Sequence, residues 1–369
     1  MSVPLSAWAD ARDLLCIRLD SLGDVLMTTP ALRALKEAAA SPTITLLTSV
    51  SGAAAASLVP LVDDVIRYDA PWLNASTIRV GSAADHAMIQ NLRARRFDAA
   101  IVFTVFSQSA LPAAMMCFLA DIPLRLAHAR ENPYQLLSDW VSDPEPASGI
   151  RHEVERQLAL VAHAGFRPSG TRLVLEVPKL ARQRAHTLIR DLGFTEARWI
   201  IIHPGATAAS RRYPPASFAA AGRALVERGF RFVVTGSADE SAIVAEVCSG
   251  IGAPAVDLAG ALDLATLAAM IEAAPLLITN NSGPAHIASA VGTPVVDLYA
   301  LTNPQHTPWG VPSRVLSRDV PCRNCFKSVC PYGHNDCLRR IPPGDVVEAA
   351  LDLLGERTQA RPTSAAIPA

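Results

Sequence analysis

The chain has 369 residues, half of them hydrophobic and 18% charged, with a formal net charge of −1. That composition supports a large core and excludes global disorder, and the charge balance argues against broad attraction to nucleic acid. The length predicts two domains of about 150–200 residues each. The first element is the short apolar strand DLLCIRL (13–19), followed by the loop Asp20-Ser21-Leu22-Gly23-Asp24. A helix with apolar positions at helical spacing follows through 31–36; Pro30 predicts that it starts near Thr28 or bends early. TITLLTS (43–49) and DVIRYDA (64–70) read as strands separated by an Ala-rich helix. A charged helix ending at Arg93, Arg95 and Arg96 leads into the long apolar strand FDAAIVFTVF (97–106). This alternation is the pattern of a mostly parallel sheet covered on both faces.

No apolar run reaches the roughly 18–20 residues that a membrane span needs. The richest candidate, 110–126, is broken by Pro112, Asp121 and Pro123. The N-terminus lacks a basic-then-apolar secretory signature, so a cytoplasmic location is expected. After a weaker, Pro-containing stretch comes a helix over 152–164, then a strand-like TRLVLEV before Pro178, with an inter-domain linker expected over 168–180. A second alternation of helix and strand occupies 180–299, so two similar α/β halves are expected, with a cleft between them. A last helix over 344–355 precedes a Pro/Ala/Ser/Thr tail that reads as disordered.

Ligands of open α/β sheets bind beyond the carboxyl ends of the strands, which directs attention to four loops. In RLDSLGDV, Asp24 is either a general base in a cleft or an N-terminal helix cap, and Asp20 carries the same ambiguity. Ser21 and Gly23 complete that loop. In HPGATAASRRYP (203–214), Gly205, Thr207, Arg211 and Arg212 suit a phosphate, or form a solvated surface loop. In TGSADE (235–240), Glu240 fits ribose hydroxyls, or an acidic first helical turn. In TNNSGPAHIASAVGTPVVDLY (279–299), Asn281, Ser282, Gly283 and Pro284 have the chemistry of a helix start whose free N–H groups suit a diphosphate. His286 follows on that helix, where a lone histidine reads as core. There is no P-loop, G-x-G-x-x-G, HExxH or Ser–His–Asp spacing. Cys16, Cys117 and Cys248 sit singly and read as buried thiols. Cys322, Cys325, Cys330 and Cys337 lie within 16 residues with His334 among them. They form either a closed structural zinc site, with His334 as alternate ligand, or a compact loop of free thiols.

Together these loops resemble the family-9 glycosyltransferases, the bacterial heptosyltransferase family, over about 13–354. RLDSLGDVLMTTPALRAL looks like the family's opening motif, HPGA…RRYP its nucleotide-side loop, and 279–299 its D-[ST]-G-x-x-H signature. CRNCFKSVCPYGHNDC is similar to a tail of the heptosyltransferase II branch. The resemblance implies an α/β fold of the GT-B class, two Rossmann-like domains facing across a cleft. An acceptor domain would span 1–172 and a nucleotide-sugar domain 173–342, the latter holding the Cys-rich segment; a terminal helix (343–355) and tail (356–369) would follow. It implies inverting transfer of a sugar, ADP-heptose being the usual donor, to a lipopolysaccharide-core or other lipid-linked envelope glycan, without a required cofactor. A location at the inner face of the cytoplasmic membrane, with peripheral contact there, follows from such an acceptor. Asp24 matches the family's catalytic Asp. Thr207, Arg211, Glu240, Asn281, Ser282, Gly283 and His286 match its donor side, and Ser21 and Gly23 lie on the acceptor side. Asn281 stands where well-known members carry Asp, and Arg211 replaces their Lys. A nucleotide-sugar epimerase of the same fold and a non-catalytic nucleotide-sugar-binding protein are the alternatives.

Overall fold

Alternate residues of the central strands point to opposite faces of a sheet, and both faces are apolar, so each sheet needs a helical layer on either side. The computed structural model describes residues 4–73, 80–194 and 198–359. The chain divides into two compact units, Met1–Glu176 and Val177–Ala369.

In the first unit the elements run α1 (Leu5–Asp10), β1 (Asp13–Arg18), α2 (Leu22–Lys36), β2 (Thr43–Thr48), α3 (Val50–Ala56) and β3 (Asp64–Arg67). They continue with α4 (Ala83–Arg95), β4 (Ala99–Val102), α5 (Leu111–Leu119), β5 (Leu124–Ala129), β6 (Asp139–Ser142) and α6 (Glu153–His163). The strands form one parallel sheet in the order β3-β2-β1-β4-β5-β6. Leu14, Cys16, Ile44, Leu46 and Ile101 pack on one face with α1, α2 and α6. Leu15, Ile17, Leu47, Ala100 and Val102 pack on the other with residues of α4 and α5.

The second unit runs α7 (Lys179–Asp191), β7 (Trp199–His203), α8 (Pro215–Val226), β8 (Arg231–Val234), α9 (Ser241–Ile251), β9 (Ala255–Asp257) and α10 (Leu264–Ala273). Then come β10 (Leu277–Asn280), α11 (Gly283–Val291), β11 (Val295–Leu298), β12 (Ser313–Leu316), α12 (Asp336–Arg339) and α13 (Pro343–Gln359). Its parallel sheet has the order β12-β11-β10-β7-β8-β9, the same winding as the first when read from its own first strand. Ile200, Ile202, Phe232, Ile278 and Val296 pack against α8, α9 and Val346, Ala350 and Leu353 of α13. In each sheet the strand order reverses between the first and fourth strands, β1/β4 and β7/β10. At such a switch point the loops diverge to opposite faces and leave room for a ligand.

Two expectations need correction, and of the two alternatives at Pro30 the start near Thr28 is removed. Helix α2 starts at Leu22 and continues through Pro30. Proline lacks the N–H that would bond the Leu26 carbonyl, and the Thr29 hydroxyl donates to that carbonyl instead, at 2.6 Å. TRLVLEV is not a strand: Leu173 and Val177 are buried, but its amides bond to the Thr29 hydroxyl (from Val174, 2.9 Å) and the Leu58 carbonyl (from Glu176, 2.8 Å). The last helix extends to Gln359, beyond the expected start of the tail; residues 360–369 lie outside the described residues. Cys16 and Cys117 are buried as expected, whereas Cys248 is half-buried. Among the described residues no helix is long and apolar enough to cross a membrane.

Candidate active site

In the first unit, β1 delivers an arginine to the switch point. Arg18 is fully buried and binds three carboxylates: Glu153 at 2.6 Å, Asp20 at 2.9 Å and Asp24 at 3.0 Å. Glu153 is itself fully buried and accepts from the Gln157 amide. Asp24 is also a cap. Its Oδ2 accepts from the Ser21 N–H (3.0 Å) and hydroxyl (2.6 Å), while the Ser21 side chain accepts from the Asp24 N–H, a reciprocal capping box that starts α2. The cap and the candidate base are therefore the same side chain, held from both sides with its edge partly open. Gly23 is buried in the first turn and Ser21 is exposed.

Asp20 differs from Asp24 in its partners. Burial, reinforced by the negative charge of Asp24, pushes its carboxyl up to about 6 against the pull of Arg18. The Gln108 amide donates to it at 2.6 Å, and both residues line a small hollow with Leu19, Trp72, Thr104 and Ser109. A second buried cluster lies in the same unit: Arg156 bonds Asp143 (2.9 and 3.0 Å), Glu145 (2.6 Å) and the Thr104 carbonyl (2.9 Å). Burial first, then the Arg156 charge, pushes His128 down to about 4, so that imidazole is neutral. None of Arg18, Glu153, Arg156, Asp143 or Glu145 was marked by sequence reasoning. The available signal was an arginine inside an apolar strand, and polar residues on the inward face of α6.

In the second unit the loops after β7, β8 and β10 are drawn together. Asn280, fully buried at the end of β10, accepts from the Tyr213 N–H (2.9 Å) and donates to the Pro204 carbonyl (2.7 Å), clamping both ends of 204–213. Within that loop Thr207 is exposed and Arg211 half-buried at the end of a single 3-10 turn. Arg212 bonds the Ala206 carbonyl at 2.8 Å and is a latch for the loop. Glu240 caps its own turn by accepting from the Ser237 N–H at 2.9 Å, and its Oε2 lies 3.8 Å from His203 Nε2. Its carboxyl fills the space beside Gly205, where any Cβ would overlap it. Burial pushes His203 down to about 4, opposed by Glu240, and its Nδ1 meets the Thr235 hydroxyl at 2.9 Å.

Helix α11 begins immediately after β10, with Ser282 at its N-cap, Gly283 first and Pro284 in its opening turn. Asn281 is buried and its Nδ2 donates to the His306 carbonyl at 3.0 Å. His286 is buried one turn along. The structure therefore brings Glu240, Asn281, Ser282 and Gly283 together with the 203–214 loop at the carboxyl end of one sheet. The free amides and positive end of α11 suit an anion there.

Of the two readings of the Cys-rich segment, the arrangement does not support the zinc site. Among the described residues no group of three or more His, Cys, Asp or Glu side chains is arranged to hold a metal ion. Cys322 Sγ lies 3.9 Å from His334 Nε2, but His334 Nδ1 accepts from the Asp336 N–H and its ring stacks on Tyr332. The segment is tied down through its backbone instead. The Ser328 and Lys327 carbonyls accept from Ser210, the Asn324 and Phe326 amides donate to the Leu301 and Thr302 carbonyls, and the Asn335 amide donates to the Arg212 carbonyl. The thiols of Cys322, Cys325, Cys330 and Cys337 are free, and the segment braces the loop that carries Arg211.

A family profile described as glycosyltransferase family 9 (heptosyltransferase) matches residues 86–335. The chain belongs to this family. It is a glycosyltransferase, and its similarity extends beyond the matched stretch. Lipopolysaccharide heptosyltransferase 2 of Salmonella typhimurium is 26% identical over 346 residues, 91% of this chain and 96% of the relative. Among solved structures, the Escherichia coli ADP-heptose lipopolysaccharide heptosyltransferase II superposes with a TM-score of 0.73 at 23% identity, covering 94% of this chain and 99% of that one. A family-9 glycosyl transferase from Veillonella parvula gives 0.76 at 22% identity, covering 94% and 98%. The fold is of the GT-B class, each unit being one Rossmann-like domain.

Proposed function

We propose that this family-9 enzyme is an inverting heptosyltransferase that moves heptose from ADP-heptose onto a lipid-linked lipopolysaccharide-core acceptor. The observation that carries the donor half is the convergence of Glu240, the 203–214 loop and the α11 N-terminus at the β7/β10 switch point. The donor named for the Escherichia coli structure supports the choice of nucleotide sugar. The second unit binds the donor and the first the acceptor. Glu240 accepts hydrogen bonds from the ribose hydroxyls, and His286 backs the pocket. Arg211, the Thr207 hydroxyl and the amides at Ser282 and Gly283 hold the diphosphate.

In the reaction Asp24 takes the proton of the acceptor hydroxyl as its oxygen bonds to the anomeric carbon. The bond from that carbon to the diphosphate oxygen breaks on the opposite face, and its electron pair leaves on ADP. Donors fixed around the diphosphate act where charge grows, and there they lower the barrier most. Arg18 keeps the Asp24 carboxylate oriented, and the capping box holds its second oxygen in place. The acceptor's lipid places the work at the cytoplasmic membrane surface.

The test is Asp24→Asn, which keeps the size of the side chain. Transfer from ADP-heptose to an acceptor extract, followed by mass spectrometry, should slow by about 10²–10⁴-fold with the donor KM little changed. A variant as fast as the wild type removes Asp24 as the base. Conversion of the donor by the wild type without any acceptor replaces the transferase reading with an epimerase.

A further inference from the structure

Arg18 faces more negative charge than one guanidinium needs. Arg18 and Glu153 are fully buried, whereas the Asp20 and Asp24 side chains keep 14% and 13% of their surface exposed. The guanidinium therefore lies between one inner carboxylate and two that reach the open edge. Glu153 is held there by α6. It is the first residue of that helix, at the end that favours a negative charge. One turn on, the Gln157 amide donates to Glu153 at 2.5 Å and to the Thr104 carbonyl at 3.0 Å. Arg156, the arginine of α6, is matched by Asp143 and Glu145, which leaves Arg18 as the cation that Glu153 meets.

A fully buried ion pair seldom stabilises a fold more than an apolar pair of the same size would. Packing is therefore a weak reason for Glu153, and its effect on Arg18 is a stronger one. A guanidinium whose charge is met on one side pulls less on the carboxylates at its other side. Asp24 reaches Arg18 with or without Glu153. Against an unmatched cation it would take up a proton less readily and be the poorer base. Against a matched one it keeps the same contact and its proton affinity. Asp20 shows the direction of the effect: burial first, then the charges of Asp24 and Glu153, raise its carboxyl against the pull of Arg18.

We propose that Glu153 is a positioning residue for the transfer step: it offsets the charge of Arg18 from the buried side, so that Asp24 is held in place without being weakened as a base. The inference rests on Asp24 being the base, as read above. The groups around this pair include Asp20 and the Gln108 amide on the open side and Glu153 with Gln157 from α6. Arg156, with Asp143, Glu145 and His128 around it, joins them through the Thr104 carbonyl that it shares with Gln157.

The test follows transfer from ADP-heptose at limiting acceptor extract between about pH 4 and pH 8, with thermal unfolding measured alongside. Glu153→Gln keeps the shape of the side chain and removes its charge. The acid limb of the rate should move to lower pH by about one unit, and the rate above the limb should fall about threefold, with the donor KM unchanged. Glu153→Asp keeps the charge and should leave the limb near its wild-type pH. A limb that stays in place in Glu153→Gln, or moves equally in both variants, overturns the proposal; a lower Tm beside it would give Glu153 a packing role only. A Glu153→Gln chain that does not fold overturns it too, because the carboxylate is then needed for the fold itself. If Asp24→Asn transfers as fast as the wild type, the base reading fails, and this inference with it.

Discussion

Arg18 joins two aspartates that the sequence offers as equals, and their surroundings separate them. Asp20, raised from 3.8 to about 6 by burial and by Asp24, holds a proton in the folded chain at pH values where the unfolded chain has lost it. The folded state therefore binds more protons across that window, and this group's contribution to stability falls as pH rises through it and stays low above. The charges facing Asp20 are Arg18, Asp24 and Glu153, with the Gln108 amide. Asp20→Asn removes the titration. Its stability relative to wild type in urea unfolding should be greater at about pH 7.5 than at about pH 4.5, and an equal difference at both would contradict the raised carboxyl. The aspartates and Ser21 were legible because helix caps and cleft carboxylates use the same few residue types. Arg18 was not. Within DLLCIRL it reads as the polar end of an apolar strand, and its partner Glu153 is 135 positions away. Only the folded chain brings such a pair together.

At the scale of elements, α2 shows why a proline did not end a helix. Thr29 serves two groups at once: its hydroxyl donates to Leu26, whose carbonyl Pro30 cannot satisfy, and accepts from the Val174 N–H. Thr29→Val keeps the shape and leaves both without that partner, so it should cost about 2 kcal/mol in denaturant unfolding. Adding Pro30→Ala to that variant returns an N–H to the Leu26 carbonyl and should recover part of the loss. If Pro30→Ala has the same effect in the wild type as in the Thr29→Val variant, the hydroxyl is not replacing the missing bond. The same pair explains the misread strand TRLVLEV. Its alternation is real, with Leu173 and Val177 buried, but alternation reports which side faces a core and not whether a neighbouring strand is there to pair. The Cys-rich segment carries a similar lesson. Spacing brings four thiols close in sequence, yet the backbone bonds to Ser210, Leu301 and Thr302 decide where the segment lies.

At the scale of the molecule, both sheets were legible because their central strands are continuous apolar runs separated by helical periods. The internal strand β5 and the edge strands β6 and β12 were not, although the edge strand β3 was; DWVS and SRVL mix charged and polar residues and are partly exposed. An edge strand can do with one apolar face, which weakens the sequence signal of β6 and β12. Each unit nevertheless has a complete sheet and its own core, and no strand of one pairs in the sheet of the other among the described residues. In the second unit that core includes α13, whose Val346, Ala350 and Leu353 pack with α8 residues such as Phe218 and Leu225. A fragment of residues 177–369 should therefore fold alone, with one cooperative thermal transition. If the second unit carries the donor site, ADP at about 100 times its Kd should stabilise the fragment by about 2.7 kcal/mol and raise its Tm by several degrees. The corresponding fragment 1–176 should show no such shift. A fragment 177–369 that folds but ignores ADP would move donor recognition away from the β7/β10 switch point, while one without a cooperative transition would mean that its core depends on the first unit.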